Sequence, residues 1–362
     1  MIDRYSDQIY RCSRCGNCRE KVNPKKGIYR VCPLLEEMGF ESNCARGKIQ
    51  IARALLEGDL PYTQKLADGI YNCTLCGSCK NNCPVEIDTP NIVRAMRTEY
   101  VRKVGFPKEY TAAVRNMRRA YNPFTGNELK ALKKDGDDPE VAYFAGCSLR
   151  YEHPEVLSST VGLLEKLGVD FAFLDERCCG VPALNIGDAE TADSLLEHNI
   201  RVIKKSGSGT VLFSCPGCYN MFKNSSIGGV KLQHISEFLN GLDMRLGKYY
   251  KTVTYHDPCR LSKTLHITDE PRALIERIPG VKMKEMKRTR ENALCCGGGG
   301  GYSIGYKDIA DRIGKKRVDE AAATGAQVLL TACPTCKHRL VKNAQNKIEV
   351  LDISELLYRT LK

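Results

Sequence analysis

The cysteines of this chain fall into repeated groups, and no other feature of the sequence limits the fold as strongly. The chain has 362 residues and 19 cysteines. Near the N-terminus the triplet Cys-x-x-Cys-x-x-Cys occurs twice, and each copy is followed by a Cys-Pro pair. Farther along, the succession of one Cys, a Cys-Cys-Gly and a Cys-Pro-x-Cys occurs twice, at offsets of 112, 117 and 118 residues. This order indicates internal duplication, and only Cys44 lies outside the repeated groups.

The cellular compartment decides whether so many thiols are interpreted as metal sites or as disulfides. No stretch approaches the 18 apolar residues of a membrane-spanning helix, and the first residues lack the apolar core of a secretory signal. We therefore expect a cytoplasmic protein, which a partner can hold at the inner face of the membrane. In that compartment thiols stay reduced, so metal or redox sites are favoured over disulfides.

The hydrophobic pattern predicts a mainly helical first domain. Residues 42–58 and 90–104 carry apolar side chains at helical spacing, and no strand pattern occurs before residue 140. The stretch 106–140 contains prolines, glycines and a charged run, which is typical of a linker. We therefore expect one domain over 1–105 and a linker over 106–140.

Beyond the linker, short apolar strands alternate with helical segments, and this order occurs twice. Each cysteine group comes directly after a predicted strand, for example after 141–145 and 210–214. Such alternation favours two α/β units with mostly parallel sheets, over 141–250 and 251–362. Loops at the carboxyl ends of parallel strands converge, so five distant cysteines can meet at one point in each unit.

The N-terminal triplets are typical of bacterial ferredoxins, in which the fourth cysteine of each run ligates the other cluster. The predicted ligands of one [4Fe–4S] cubane are Cys12, Cys15, Cys18 and Cys83. Those of the second cubane are Cys73, Cys76, Cys79 and Cys32. Two structural zinc sites fit poorly, because zinc favours two well-separated ligand pairs. Cys44 is interpreted as a free thiol, with an extra ligand role as the weaker hypothesis.

The later groups hold more thiols than one cubane or one zinc ion requires. Adjacent cysteines point in different directions, so they can contact different irons or bridge two. Gly180 and the run Gly297–Gly301 are expected to let the backbone approach a cluster and offer N–H groups to its sulfurs. Nucleotide binding by the glycine run is disfavoured, because neither a P-loop nor a dinucleotide fingerprint surrounds it.

These motifs together resemble the heterodisulfide reductase family. The pairing of C…CCG…CPGC with HDPC…CCGGGG…CPTC is similar to the tandem CCG domains of that family, and the N-terminal part resembles its ferredoxin-like subunit. The whole chain is similar to the fused HdrD-type subunit, which joins an HdrC-like part to an HdrB-like part. The resemblance implies an α+β protein: a mainly helical two-cluster domain followed by two α/β CCG domains related by pseudo-symmetry.

The resemblance also implies an activity and its residues. Two facing noncubane [4Fe–4S] clusters would cleave the coenzyme M–coenzyme B disulfide, fed by the two cubanes. The first noncubane cluster would be held by Cys147, Cys178, Cys179, Cys215 and Cys218. The second would be held by Cys259, Cys295, Cys296, Cys333 and Cys336. The electron donor would be an HdrA-like flavoprotein or a membrane cytochrome b subunit, in a hetero-oligomer.

Polar residues beside the cysteines are candidates for the surrounding chemistry. His256 can donate a proton to a released thiolate or hold its loop, and the second role is favoured. Basic side chains near the cysteines can bind an anionic substrate or balance cluster charge, and the second role is again favoured: Arg150, Arg260, Lys263, Lys337 and Arg339.

Two other functions compete with disulfide reduction. An iron–sulfur subunit of a glycolate or lactate oxidase, passing electrons to a quinone, shares the architecture, but CCG cysteines are commonly missing there. A basic zinc-ribbon protein that binds nucleic acid would suit the net charge of +12. It is disfavoured because no basic stripe interleaved with aromatics occurs, and cluster charge can offset the basic excess.

Overall fold

The chain folds into a helical N-terminal part followed by two α/β units, each built on a four-stranded parallel sheet. The computed structural model describes residues 1–23, 27–124, 139–225 and 227–362. No helix within these ranges is long and apolar enough to cross a membrane.

The N-terminal part is helical, as expected, but it also contains one β-hairpin. The hairpin pairs β1 (Glu20–Asn23) with β2 (Gly27–Arg30), so the expectation of no strand before residue 140 was wrong. Its strands are short and mostly exposed, and they lack the apolar alternation that would reveal them. The helices are α1 (Ser6–Tyr10), α2 (Pro33–Met38), α3 (Ala45–Glu57), α4 (Ala67–Tyr71), α5 (Ser78–Asn81) and α6 (Thr89–Val104).

The beginning of the expected linker is folded. A short 3-10 turn, Lys108–Tyr110, leads into α7 (Thr111–Ala120). Met117 and Tyr110 are buried in the core of the N-terminal part, so this stretch packs as helix, unlike a free linker. Residues 125–138 of the expected linker lie outside the described residues.

The first α/β unit contains the parallel sheet in the order β4-β3-β5-β6. Its strands are β3 (Val141–Phe144), β4 (Phe171–Phe173), β5 (Thr210–Phe213) and β6 (Lys231–His234). Its helices are α8 (Cys147–Tyr151), α9 (Pro154–Lys166), α10 (Val181–Ile186), α11 (Ala189–Lys205), α12 (Pro216–Lys223) and α13 (Ile235–Asn240). The central strand β3 is fully buried and pairs with β4 and β5, which explains its continuous apolar sequence.

The second unit repeats this arrangement, with the order β10-β9-β7-β8. Its strands are β7 (Thr252–Tyr255), β8 (Lys282–Met283), β9 (Val328–Thr331) and β10 (Glu349–Asp352). Its helices are α14 (Asp269–Glu276), α15 (Tyr302–Gly305), α16 (Lys307–Ala322), α17 (Pro334–Ala344) and α18 (Ile353–Thr360). Equivalent strands occupy equivalent places, which confirms the expected fold class and its internal pseudo-symmetry.

A buried arginine connects the three parts. Arg97 in α6 is 0% exposed, and its guanidinium donates to backbone carbonyls of the N-terminal part and of both α/β units. The acceptors include Asn185 at 2.6 Å, Gly300 at 2.7 Å and Cys73 at 2.7 Å. Because a guanidinium has five donors, this one side chain can join three separate backbone segments at once.

Candidate functional site

The N-terminal cysteines line two cavities. The first cavity is lined by Cys12, Cys15, Cys18, Cys79 and Cys83, together with neighbouring residues. The second is lined by Cys32, Cys44, Cys73, Cys76 and Cys79. Each cavity thus receives one triplet together with the fourth cysteine of the other run. This exchange is the placement expected for two adjacent cubanes.

The hairpin explains the long gap between Cys18 and Cys32. The Val31 N–H donates to the Arg19 carbonyl at 2.7 Å, which closes the base of the inserted hairpin. The chain therefore returns to the site, and Cys32 precedes Pro33 at the start of α2. Burial raises the pKa of the Cys32 thiol well above its ordinary value.

Cys44 also lies at the second cavity, although the repeats exclude it. It is fully buried, and its thiol donates to the Glu41 carbonyl at 3.2 Å and to Glu41 Oε1 at 3.0 Å. A thiol engaged as a donor in this way is a satisfied buried group. Interaction with Cys18 of the first triplet lowers the pKa of Cys44, so Cys44 also adjoins a proposed ligand. The free-thiol interpretation and the weaker ligand hypothesis both stay predictions.

In the first α/β unit, five cysteines converge beyond the carboxyl ends of β3, β4 and β5. The Sγ atoms of Cys147 and Cys178 are 3.7 Å apart. Interactions between neighbouring thiols, which shift their pKa values, continue from Cys178 to Cys179, from Cys179 to Cys218 and from Cys218 to Cys215. The structure thus brings together all five predicted residues in a continuous group, here called the first CCG group.

The second α/β unit contains the equivalent group, here called the second CCG group. Cys259 contacts Cys295, which contacts Cys296. The Sγ atoms of Cys296 and Cys336 are 3.3 Å apart, and Cys336 contacts Cys333. Sulfur donors at such separations, unpaired as disulfides, are the donor set that a thiophilic iron–sulfur cluster requires. The residues present therefore fit the expected group.

Two further contacts join the cysteine groups to one another. The thiols of Cys215 and Cys333 lie close enough to interact, and this interaction raises the pKa of Cys333 well above its ordinary value, so the two CCG groups adjoin. The thiols of Cys76 and Cys295 also interact, and this interaction lowers the pKa of Cys76 well below its ordinary value. The second cavity therefore adjoins the second CCG group. The family resemblance implied that the two CCG groups face each other. The contact of the second cavity with the second CCG group was not predicted, because it depends on how the domains dock.

The glycines beside the CCG groups allow close approach of protein backbone more than was expected. The Gly297 N–H does donate to the Cys295 sulfur, at 3.3 Å. However, a Cβ on Gly300 would lie 2.6 Å from the Thr74 backbone, and one on Gly180 would lie 2.6 Å from the Ala192 carbonyl. These two glycines are required because protein backbone approaches them, whereas the expectation was that a cluster would.

His256 is placed beside the second CCG group. Its Nδ1 accepts a hydrogen bond from Arg317 Nε at 2.9 Å, so the imidazole proton lies on Nε2. Ligand atoms of His256, Cys296 and Cys336 all lie within 4.8 Å of one another. Burial lowers the pKa of His256, and its interaction with Cys296 opposes that shift.

The loop that carries His256 is held by its neighbour. Asp257 accepts two hydrogen bonds from Arg272, at 2.7 and 3.0 Å, and another from the Arg290 N–H at 2.7 Å. Asp257 therefore shares the loop-holding role favoured for His256, which is itself bonded to Arg317. That role of His256 stays a prediction. The imidazole remains directed to the cysteines.

Most of the candidate basic side chains are paired within the protein. Arg150 pairs with Glu176 at 2.8 Å, and Arg339 pairs with Asp311 at 2.6 Å. Lys337 pairs with Glu155 and Glu355, and Lys263 donates to the Ala293 carbonyl. Among the described residues Arg260 makes no ion pair. Interaction with Cys295 lowers the pKa of Cys259, and the charges of Lys263 and Arg260 add to that shift. Arg260 is therefore the strongest remaining candidate for contact with an anionic substrate.

Two family matches cover most of the chain. Residues 7–87 match the 4Fe-4S dicluster domain family, and residues 141–223 and 253–341 match the cysteine-rich domain family named CCG. A solved structure of a hypothetical protein from Helicobacter pylori shares the fold, with a TM-score of 0.58 at 11% identity. That comparison covers 87% of this chain and 66% of the other.

Curated relatives extend these matches over the full length. The HdrD protein of the dihydromethanophenazine:CoB–CoM heterodisulfide reductase of Methanosarcina barkeri is 32% identical, over 97% of this chain and 93% of that protein. The EtfAB:quinone oxidoreductase of Syntrophomonas wolfei is 26% identical, over 97% of this chain and 58% of that protein. The chain therefore belongs to the family of iron–sulfur oxidoreductases that includes the HdrD proteins of heterodisulfide reductases.

Proposed function

We propose that the chain reduces a low-molecular-weight heterodisulfide of the coenzyme M–coenzyme B type to two thiols. The observation that carries this proposal is the contact between Cys215 and Cys333, which joins two complete groups of five cysteines. A disulfide must receive two electrons, and one-electron cleavage would leave a reactive sulfur radical. Two adjoining redox centres fit that requirement.

Four iron–sulfur clusters are assigned to the cysteines. The N-terminal cavities would hold two [4Fe–4S] cubanes, and the CCG groups would hold two noncubane [4Fe–4S] clusters, with the ligands given above. Bound clusters of this kind would supply electrons one at a time at these positions. We propose CCG domains over 141–250 and 251–362, as expected, and extend the first domain from 1–105 through α7 into the stretch 106–140, because Tyr110 and Met117 are buried in its core.

The order of contacts supports a direction for the electrons. Cys79 lines both N-terminal cavities, Cys76 contacts Cys295, and Cys333 contacts Cys215. The cysteine groups therefore form a continuous series from the first cavity to the first CCG group. Electrons from an external donor would enter at the N-terminal part and reach the paired CCG groups.

Two other side chains would assist the substrate. His256 holds a proton on Nε2 beside Cys296, where it can protonate a departing thiolate. Arg260 follows Cys259 directly, and its charge suits the sulfonate, phosphate or carboxylate of such a disulfide. Replacing Arg260 with Gln is expected to raise KM more than it lowers kcat.

A partner protein would supply the electrons. We assign this role to an HdrA-like flavoprotein or a membrane cytochrome b subunit, in a hetero-oligomer. Support comes from the Methanosarcina barkeri relative, which is itself named as one component of a larger reductase.

Electron transfer to a quinone is the second candidate function. It is supported by the Syntrophomonas wolfei relative, whose name describes quinone reduction. In that case an iron–sulfur subunit like those of glycolate or lactate oxidases would pass electrons onward, and no disulfide would be cleaved.

One anaerobic experiment separates the two functions. The holoprotein, containing about 16 iron atoms and as many sulfides, is mixed with reduced viologen and the coenzyme M–coenzyme B disulfide. We expect release of two thiols per disulfide. We also expect Cys333→Ser to abolish release, whereas Cys44→Ser should retain it. Quinone reduction without thiol release from any disulfide tested would overturn the proposal, and so would a preparation that contains zinc alone.

A further inference from the structure

Three potential metal ligands converge at the junction of the two α/β units, apart from the cysteine groups. Glu152 follows α8 and His153 precedes α9 in the first unit, whereas His338 belongs to α17 of the second. One ligand atom from each side chain lies within 4.8 Å of the others. The arrangement is contributed by both units, so it depends on their packing.

His153 presents a lone pair that nothing in the described structure uses. Its Nδ1 lies 3.0 Å from Glu155 Oε1, a carboxylate that can only accept, so Nδ1 carries the proton. The other nitrogen, Nε2, is buried and has no hydrogen-bond partner among the described residues. His153 as a whole is only 6% exposed. A buried imidazole nitrogen without a hydrogen-bond partner, on a ring whose other nitrogen is bonded to a carboxylate, has the arrangement of a histidine metal ligand.

Glu155 is itself held in place. Its Oε1 also accepts from Lys337 Nζ at 2.6 Å, and Lys337 pairs in turn with Glu355 at 2.7 Å. A carboxylate bonded to the outer nitrogen of a ligating histidine fixes the orientation of the ring and raises its basicity. The outer support that metal sites commonly have is therefore present here.

The other two side chains complete a set of two imidazoles and one carboxylate. Glu152 Oε1 lies 3.6 Å from His338 Nδ1, and the other carboxylate oxygen of Glu152 accepts from Ser148 Oγ at 3.2 Å. The rings of His153 and His338 lie edge to face, with centroids 5.7 Å apart. Tetrahedral ligands around zinc are separated by about 3.3 Å, given bonds of about 2.0 to 2.1 Å. The side chains of His338 and Glu152 are 44% and 26% exposed, so small rotations would close the set.

We infer that Glu152, His153 and His338 bind one divalent transition-metal ion, of which zinc is the best match. Imidazole with carboxylate suits Zn²⁺, and a water molecule on the exposed side would supply the fourth position. The ion would connect α17, which begins directly after Cys333, to the end of α8, which begins at Cys147. Its role would be to fix the two CCG groups relative to each other. The inference does not depend on which substrate the protein reduces.

The test uses the full-length holoprotein, purified anaerobically and stripped of loosely bound metal. It is titrated with zinc chloride, and the bound zinc is examined by X-ray absorption. We expect about one zinc per chain, with nitrogen and oxygen neighbours at about 2.0 to 2.2 Å and no sulfur shell near 2.3 Å. His338→Ala should weaken binding at least tenfold, and Glu155→Gln should weaken it by about 10- to 100-fold. The iron content should stay unchanged in both variants.

A histidine outside the cluster provides the matched control. His198 lies in α11, with its Nε2 3.3 Å from the Asp175 carbonyl, and His198→Ala should bind zinc as the wild type does. A sulfur shell would show that zinc had entered the cysteine sites, and that result would overturn the inference. So would the absence of binding at micromolar zinc, or unchanged affinity in His338→Ala. If His153→Ala fails to fold, the exposed positions still decide the matter through His338→Ala and Glu152→Gln.

Discussion

Arg317 Nε donates a hydrogen bond to His256 Nδ1 over 2.9 Å, and both side chains are buried, at 0% and 1% exposure. This contact makes the second CCG group different from the first. His256 stands three residues before Cys259, and the residue three before Cys147 is Phe144. The first group therefore has an aromatic ring where the second has an imidazole donor. Pseudo-symmetry of the backbone does not extend to the electrostatics of the two sites.

Replacing His256 with Phe should reproduce the environment of the first group. The Nε2–H of His256 lies beside Cys296 without a hydrogen-bond partner among the described residues, so it is available to a cluster sulfur. Its loss should lower the reduction potential of the cluster at the second CCG group by about 40 mV, the one-electron equivalent of a hydrogen bond of about 1 kcal/mol. The iron content should not change. A redox titration followed by EPR measures the shift, and His266→Phe, a substitution at a more exposed histidine of the same unit, should leave the potential unchanged. Equal potentials in wild type and His256→Phe would contradict this assignment.

Cys32 and Cys44 line the same cavity, but only Cys32 belongs to the repeated motifs. Cys44→Ser should retain the full iron content, since Cys44 lies outside the repeated motifs and its thiol donates hydrogen bonds to Glu41. Cys32→Ser should lose about one to four iron atoms, because it removes a proposed ligand. Iron and sulfide analysis of the two variants, prepared side by side, tests the pair. Loss of iron from Cys44→Ser would identify Cys44 as a ligand.

The sequence predicted the architecture well where strong periodicity or repeated motifs were present. The buried strands β3 and β9 are continuous apolar runs, and the cysteine groups follow them as expected. The outer strands β6 and β10 were missed because each has only a short apolar stretch among polar residues. The hairpin of β1 and β2 was missed because its residues are mostly polar or exposed.

Contacts between domains could not be predicted from local patterns. The approach of Cys76 to Cys295 depends on docking of the N-terminal part against the second α/β unit. Arg97 and Gly300 make that docking possible, but in the sequence they are an ordinary helical arginine and one glycine in a run of five. The pairing of His153 with His338 could not be foreseen for the same reason, since the two residues are far apart in the chain.

Gly300→Ala should weaken this docking. The new methyl group would lie 2.6 Å from the Thr74 backbone, and the φ of +70° is unfavourable for alanine. We expect destabilisation by about 1 to 3 kcal/mol from overpacking, in addition to the backbone strain. Reduction of the second CCG group through the N-terminal clusters should also slow, which stopped-flow absorbance can follow.

Gly58→Ala is the matched control for this substitution. Gly58 also has a positive φ, of +80°, but nothing lies within 4 Å of its ideal Cβ. Gly58→Ala should be destabilised only by the backbone strain, about 1 to 2 kcal/mol, and its electron transfer should stay normal. Identical kinetics in Gly300→Ala and Gly58→Ala would show that the glycine contact does not govern the docking.

Equivalent positions in the two α/β units cap their last helices with different titrating groups. His234 Nδ1 accepts from the Ser236 N–H at 3.2 Å, and Asp352 Oδ1 accepts from the Ser354 N–H at 2.9 Å. Burial lowers the pKa of His234 to about 4 and raises the pKa of Asp352 to about 7. Both shifts favour the neutral side chain in the folded protein, so both groups make stability depend on pH.

Asp352 makes the folded protein less stable as the pH rises, and His234 makes it less stable as the pH falls. The pKa of Asp352 in the folded state is higher than its ordinary 3.8. The stability that its protonated side chain contributes is therefore complete near pH 4 and is lost as the pH rises to about 7. The pKa of His234 in the folded state is lower than its ordinary 6.5. The stability that its neutral imidazole contributes is therefore complete above pH 6.5 and is lost as the pH falls toward 4.

Asp352→Asn keeps an acceptor at the cap and removes the titration. Relative to wild type, it should therefore gain on the order of 1 kcal/mol or more between pH 5 and pH 8. Melting temperatures of the anaerobic holoprotein across this range measure the difference, and Asp352→Ala, which loses the cap, should be less stable than Asp352→Asn by about 1 kcal/mol. A wild-type and an Asp352→Asn curve that run parallel from pH 5 to pH 8 would show that Asp352 is ionised throughout and that its burial has little effect.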